Sequence, residues 1–340
     1  MTALGSKAAP GVAIVGCGGV GRKRAAALPG ARLVACADVD ESRARSLAST
    51  CPGVAAAADW RSVIARDDVG IVIVATTNDH LSPIAAAAAA AGRHVLVEKP
   101  AARSTRELDT IRDAAAKTGA RVRVGFNHRY HPALQKAREL VDAGAVGPLM
   151  FVRGRYGHGG RLGYDREWRA RPSISGGGEL IDQGVHLIDL ARWFLGDFPK
   201  VDGFAHTYFW DMPVDDNAFL TLRTSDDRTA FLHVSCTEWK NLFSLEIYGR
   251  TGKLHIDGLG GSYGTERLAF HRMRPQMGPP ETSVWEYPGA DGSWALEFED
   301  FLEDIRTGRA PSAGLDDARA ALEIVEQVYA GGGAREGGMG

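Results

Sequence analysis

The strongest constraint lies near the start of the chain. An apolar, strand-like run, Gly11–Val15, leads at once into Gly16-Cys17-Gly18-Gly19-Val20-Gly21 and a stretch, Val20 to Leu28, that reads as a helix. A first glycine permits the tight turn, a second lets the backbone approach a pyrophosphate, and a third lets helix pack on strand, with the helix N-terminus supplying donors. The glycine pattern alone is weak, since 42 glycines generate chance matches. Asp38 strengthens it: it lies about 20 residues on, at the end of a second strand (Arg32 to Ala37), where a carboxylate binds ribose hydroxyls and repels a 2′-phosphate. The reading is a dinucleotide site with NAD favoured over NADP. Arg43 is the reservation, as a cation able to hold a phosphate, and Asp40 reads as a solvated neighbour.

The same rhythm continues to Phe126. Further strands are expected at Val69 to Ala75, His94 to Val97 and Arg121 to Phe126. Between them fall helices at Ser42 to Thr50, over the alanine tract Ala85 to Ala91 (Ser82 as N-cap, Pro83 first, Gly92 as stop), and after the capping box Ser104-Thr-Arg-Glu107. Strand–helix alternation with near-continuous Val/Ile/Ala strands predicts an α/β class, an N-terminal Rossmann doubly wound parallel sheet over residues 1–126. Beyond it the pattern changes to helices at Pro132 to Ala143 and Glu179 to Leu195. Alternating runs are expected at Leu149 to Tyr156, Ala218 to Thr224, Thr229 to Thr237, Phe243 to Tyr248 and Lys253 to Ile256. This predicts a C-terminal α+β domain, residues 127–330, with an open, mostly antiparallel sheet for substrate binding and oligomerisation, then a mobile glycine-rich tail, 331–340.

Forty basic against 42 acidic side chains leave a net charge of −2, so no global field recruits nucleic acid or an anionic membrane. Four cysteines without CxxC spacing give neither a zinc site nor a disulfide framework, and the reduced cytoplasm is the expected compartment. No apolar run is long enough to cross a bilayer.

Three further segments carry chemistry. Thr76-Thr77-Asn78-Asp79-His80 and Glu98-Lys99-Pro100 follow strands, at the carboxyl edge where open α/β sheets place ligands. Pro100 keeps Lys99 out of the helical region. Asp182 and His186 stand four apart on an expected helix and so share a face. They read either as a carboxylate orienting a histidine for proton transfer or as a simple helix-stabilising pair, with Asp189 as a rival partner. A metal on Asp182 and His186 lacks a third ligand.

Taken in order, Gly16-x-Gly18-x-x-Gly21, Thr76-Thr-Asn-x-His80, Glu98-Lys99-Pro100, Gly125-Phe-Asn127-His-Arg129 and Gly176-Gly-Gly-x-Leu-x-Asp182-x-Gly-x-His186-x-x-Asp189 resemble the Gfo/Idh/MocA family of NAD(P)-dependent sugar and polyol oxidoreductases. The resemblance runs from about Gly11 to about Tyr329 and is specific for family rather than substrate. It implies a catalytic group of Lys99, Asp182 and His186. It also implies a cofactor surface formed by Gly16 to Gly21 (Cys17, Gly19 and Val20 included), Asp38, Thr76, Thr77, Asn78, His80, Glu98, Asn127, Trp168 and Arg169, and homodimers or homotetramers built on the C-terminal sheet.

Hydride leaves a carbinol only as its hydroxyl proton departs, so such a site needs a base and a cation that stabilises alkoxide character. His186 and Lys99 divide these roles, in either order. For the substrate, the stretch Arg153 to Arg171 carries six arginines with Tyr156, His158, Tyr164 and Trp168 and reads as a loop leading toward the cleft. Arg155, Tyr156, His158 and Tyr164, with Lys99, Asp182 and His186, are then the candidate substrate contacts, and a nucleotide sugar or other phosphorylated sugar the first expectation. A free polyol such as an inositol is the alternative, and a non-catalytic NAD-binding sensor the reading outside enzymology. Short-chain dehydrogenase chemistry is disfavoured because none of the eight tyrosines is followed by lysine four residues on.

Overall fold

The computed structural model describes residues Ala9 to Gly332. They divide into two compact units, one running to Phe126 and taking back Trp294–Arg319, the other formed by Asn127–Ser293 and the chain from Ala320 onward. The linear reading drew one boundary after residue 126 and did not foresee the return.

In the first unit six parallel strands, β1 (Gly11–Val15), β2 (Arg32–Ala37), β3 (Ala55–Ala57), β4 (Ile71–Val74), β5 (His94–Val97) and β6 (Val122–Val124), lie in the order β3-β2-β1-β4-β5-β6. The order reverses between β1 and β4, which puts a crevice beyond their carboxyl ends. Both strands are buried along their whole length, the reason their sequences are unbroken apolar runs. The helix Ser293–Thr307 returns to this sheet and lays Phe298 and Phe301 against Val12, Ile14, Ile71 and Leu96. Each such ring contributes about 2–3 kcal/mol by leaving water.

The capping box forms as expected: Ser104 accepts from the Glu107 amide and Glu107 from the Arg103 amide. The alanine helix does not begin at Pro83. It spans Asn78–Ala90, with Thr77 as its extended N-cap residue and Pro83 inside it, at the cost of one backbone donor. Ser82, instead of capping, donates to the Glu107 carbonyl and so ties this helix to the next. The strand β3 and the helix Trp60–Ile64 were absent from the reading, because three alanines carry no β-favouring signal.

In the second unit eight strands, β7 (Leu149–Gly157), β8 (Lys200–His206), β9 (Asn217–Arg223), β10 (Thr229–Ser235), β11 (Leu242–Gly249), β12 (Gly252–Asp257), β13 (Glu266–Arg272) and β14 (Glu281–Tyr287), form an open sheet in the order β14-β13-β12-β11-β7-β10-β9-β8. Every neighbouring pair is antiparallel except β7 with β10. The helix Val185–Leu195 covers one face, settling where Gly154 leaves room: a Cβ there would stand 3.2 Å from Leu187, Leu232 and Leu245. The single helix expected from Glu179 instead starts with a π-helical turn, Leu180–Gly184, which inserts an extra residue just ahead of His186. Gly331 and Gly332, assigned to the tail, close the helix Leu315–Gly332, and the rest of the tail lies outside the described residues. Among the described residues no helix is long and apolar enough to cross a membrane.

Candidate active site

The cofactor-facing loop of the first unit is shaped by what its glycines omit. A Cβ on Gly16 (φ +94°) would lie 2.3 Å from the Ala75 carbonyl oxygen, and one on Gly21 would lie 1.9 Å from that of Gly16. At Gly18 and Gly19 a Cβ would meet nothing within 4 Å, so the backbone there borders open space, as a pyrophosphate requires. Asp38 is held beneath the turn, accepting from the amides of Cys17 (2.8 Å) and Asp40 (2.9 Å). This fixes the carboxylate against the glycine loop, and the residues present fit a bound dinucleotide. Asp40 N-caps the helix Glu41–Ala48 and pairs with Arg43 at 3.3 Å, so the suspected phosphate-binding cation is engaged on the surface.

After β4, Thr77 donates to Asp79 (2.6 Å) and His80 lies 2.9 Å from the same carboxylate. Burial pushes Asp79 up, but these two contacts outweigh it and leave its pKa below the ordinary value. Asn78 is buried and Thr76 half-buried at the same edge. After β5 the Lys99–Pro100 peptide is cis, and Lys99 is half-buried. Glu98, expected on the cofactor surface, accepts from Arg24 Nε at 2.7 Å, and Arg24 reaches Glu297 at 2.5 Å with Nη1. The Arg24 guanidinium also lies 4.4 Å from the centre of the Trp294 ring. Gly125 must be glycine here, as a Cβ would come within 2.9 Å of both Arg24 and Glu98. Arg24 and Glu297 escaped sequence reading because they stand 273 residues apart and belong to no motif.

In the second unit the turn bearing Asp182 and His186 is anchored from below. The buried Asp215 carboxylate accepts from the amides of Gly178 (2.9 Å) and Leu180 (2.8 Å) and from the Tyr329 hydroxyl (2.7 Å). Burial raises the Asp215 pKa in spite of these bonds. The Gly176-Gly-Gly run follows from this packing: Cβ atoms on Gly177 and Gly178 would fall 2.3 Å from the Tyr329 hydroxyl and 2.0 Å from the Asp215 carbonyl oxygen.

Asp182 receives Arg169 Nε at 2.8 Å, and that guanidinium lies 4.5 Å from the Trp168 ring. The Trp-Arg pair therefore stands beside the motif aspartate. Asp189, the rival partner for His186, is engaged by Arg129 Nε at 2.8 Å. His186 stacks on His128, with centroids 3.7 Å apart and planes 15° apart. Tyr156 meets both rings edge-on, at 6.2 and 5.2 Å. Tyr263 lies 5.2 Å from Tyr156, and burial, first of all, holds both phenols above their ordinary pKa.

The structure thus gathers Tyr156, Asp182, His186, Trp168 and Arg169 in one region of the second unit, with Asn127 adjoining through His128. Other expected contacts it does not bring together. Arg155 and Arg153 lie on strand β7, exposed on the face opposite Tyr156, because side chains alternate along a strand. Tyr164 is core, packed with Ala170, Met212, Val214 and Cys236. His158 lies 3.6 Å from Glu179, a buried carboxylate that the Tyr164 hydroxyl also reaches at 3.5 Å. His128 and Glu179 likewise carry no role in the sequence reading: His128 stands inside the run Gly125-Phe-Asn127-His-Arg129, and Glu179 fills an unspecified position of the glycine-rich motif.

Comparison with known proteins agrees with this architecture. Residues 11–126 match the model of an oxidoreductase family with an NAD-binding Rossmann fold, and residues 134–255 that of the GFO/IDH/MocA C-terminal domain. A levoglucosan dehydrogenase of Pseudarthrobacter phenanthrenivorans is 33% identical over 310 residues, 79% of this chain and 80% of the relative. The scyllo-inositol 2-dehydrogenase (NAD(+)) of Bacillus subtilis is 27% identical over 75% of this chain and 72% of its own. Among solved structures, levoglucosan dehydrogenase in complex with NADH superposes with a TM-score of 0.83 at 26% identity, covering 95% of this chain and 98% of that one. These matches cover most of the chain, which belongs to the Gfo/Idh/MocA family of NAD-dependent oxidoreductases.

Proposed function

We propose that this dehydrogenase oxidises a ring carbinol of an uncharged sugar or cyclic polyol, with Lys99, Asp182 and His186 as its catalytic group. The observation that carries the substrate class is the state of the arginines between 153 and 171. Arg153 meets Glu246, Arg161 Glu167 and Arg169 Asp182, Arg166 lies 3.8 Å from Asp165, Arg155 is on the far face of its sheet, and Arg171 is exposed. A nucleotide sugar needs guanidinium forks free to take phosphate oxygens, and Arg153, Arg161 and Arg169 are already taken by carboxylates. The similar proteins named for levoglucosan and scyllo-inositol support the same neutral class.

NAD⁺ supplies the hydride acceptor. The chain's residues handle the proton and the charge. His186, its ring fixed in the second unit, takes the hydroxyl proton, and the Lys99 ammonium stabilises the alkoxide character that develops as the C–H bond breaks. Asp182, neutralised in part by Arg169, fixes the turn on which His186 is carried. The exposed aromatic residues Phe151, Phe204 and Phe231 on the open face of the sheet support a homo-oligomer built there, and the four free thiols support a reducing, cytoplasmic setting.

Initial rates of NADH formation with levoglucosan, myo-inositol, scyllo-inositol and UDP-glucose test the reading. Turnover on at least one neutral substrate with none on the nucleotide sugar is expected. Turnover on the nucleotide sugar alone would overturn the neutral-substrate assignment.

A further inference from the structure

His128, inside the run Gly125-Phe-Asn127-His-Arg129, is the ring stacked on His186. It is 6% exposed and His186 4%, with their faces in contact. His128 is itself fixed from behind. Asn127 donates to Ser293 Oγ (2.9 Å), Ser293 donates to Asp291 (2.6 Å), and the Asn127 carbonyl oxygen accepts from His128 Nδ1 at 3.3 Å. Tyr156 and Phe243 meet its ring edge-on at 5.2 and 6.1 Å.

We infer that His128 is a positioning residue for His186: its stacked ring sets the plane of the reacting imidazole and, at this separation, restricts the two rings to one proton between them. The inference rests on the assignment of His186 as proton acceptor. Charged groups from several elements face the region of the pair. Arg129 meets Asp189, Arg169 meets Asp182, His131 meets Glu266 at 2.9 Å, and Glu179 lies by His158 and Tyr164. Tyr156 and Tyr263 are neutral phenols. Two imidazolium rings stacked face to face at 3.7 Å in a buried site repel each other, so a second proton enters only at a pH well below the first step. Catalysis deposits a proton on His186, so His128 must be neutral during turnover.

Two readouts test this on the full chain. In protein labelled with ¹³C-histidine, the Cε1 signals of His128 and His186 are expected to move together through one shared step, and His128→Phe is expected to leave His186 titrating alone. In steady state, His128→Ala is expected to lower kcat about 10-fold with the NAD Kd unchanged, while His128→Phe, which keeps a flat ring, recovers to within about 3-fold. Two complete and independent titrations would overturn the shared proton, and a kcat loss that phenylalanine fails to restore would overturn the positioning role. Wild-type turnover by His186→Ala would instead remove the proton-acceptor assignment, with the coupled titration still readable.

Discussion

The two units build their parts of the chemistry in opposite ways. In the first, the loop after β1 is defined by missing side chains: Gly16 and Gly21 press on carbonyl oxygens, and Gly18 and Gly19 leave backbone open. In the second, the proposed reacting group is defined by side chains held by other side chains, His186 on His128, Asp182 on Arg169 and Asp215 on Tyr329. The difference teaches where each unit is fragile. The loop fails by steric overlap, which no rotamer relieves, whereas the proton-handling region fails by loss of orientation or charge while its fold survives.

The largest expected effect breaks the first unit alone. Gly21→Ala forces a methyl into the Gly16 carbonyl and is expected to weaken NAD at least about 100-fold by isothermal calorimetry, with the second unit's folding unaffected. Near-normal NAD affinity would show that the loop yields, and that the contrast between the units is overdrawn. A smaller effect sharpens the distinction between sterics and charge within the same loop. Asp38→Ala removes the acceptor of two amides and the ribose-facing carboxylate, and is expected to weaken NAD about 10-fold and narrow its preference over NADP. An unchanged ratio of the two cofactor affinities would refute the role of Asp38.

The smallest effect separates stability from function in the second unit. Glu246 lies between Arg153 (2.5 Å) and Lys253. Burial pushes its pKa up, but the bonds from Arg153 and Lys253 prevail and hold it down at about 2. A depressed carboxylate contributes stability at every pH above its unfolded value, near 4.5, and loses it as the pH falls toward 2. Glu246→Gln is therefore expected to cost about 1 kcal/mol at pH 7, after allowance for solvent screening, with the deficit vanishing toward pH 2 and kcat unchanged. A deficit that persists in acid would mean that packing rather than charge is lost.

The same contrast explains what could be read from sequence. Steric rules are local, so Gly16 to Gly21, the strand that precedes them and Asp38 are legible in a few consecutive letters, as is the parallel sheet they imply. The Ser104 capping box is legible for the same reason. Side-chain pairing is not local. His128 and His186 come together across the second unit's fold, Arg129 and Asp189 are 60 residues apart, and Arg24 and Glu297 are 273 apart. Asp182 and His186 stand out in sequence by their spacing, but the π-helical turn ahead of His186 and the bond from Arg169 to Asp182 are not written in that spacing. The arginines of 153–171 were read as one ligand-facing loop. Arg153 and Arg155 instead share the exposed side of β7, because strand alternation, which the same letters also displayed, decided their direction.

The central claim is that His186 removes the proton as hydride leaves. Single-turnover NADH formation by His186→Ala, at NAD and neutral sugar concentrations saturating for the wild type and with the NAD Kd measured in parallel, tests it most directly. The expected rate is at least about 100-fold below the wild type with NAD affinity unchanged. A wild-type rate in that variant would contradict it.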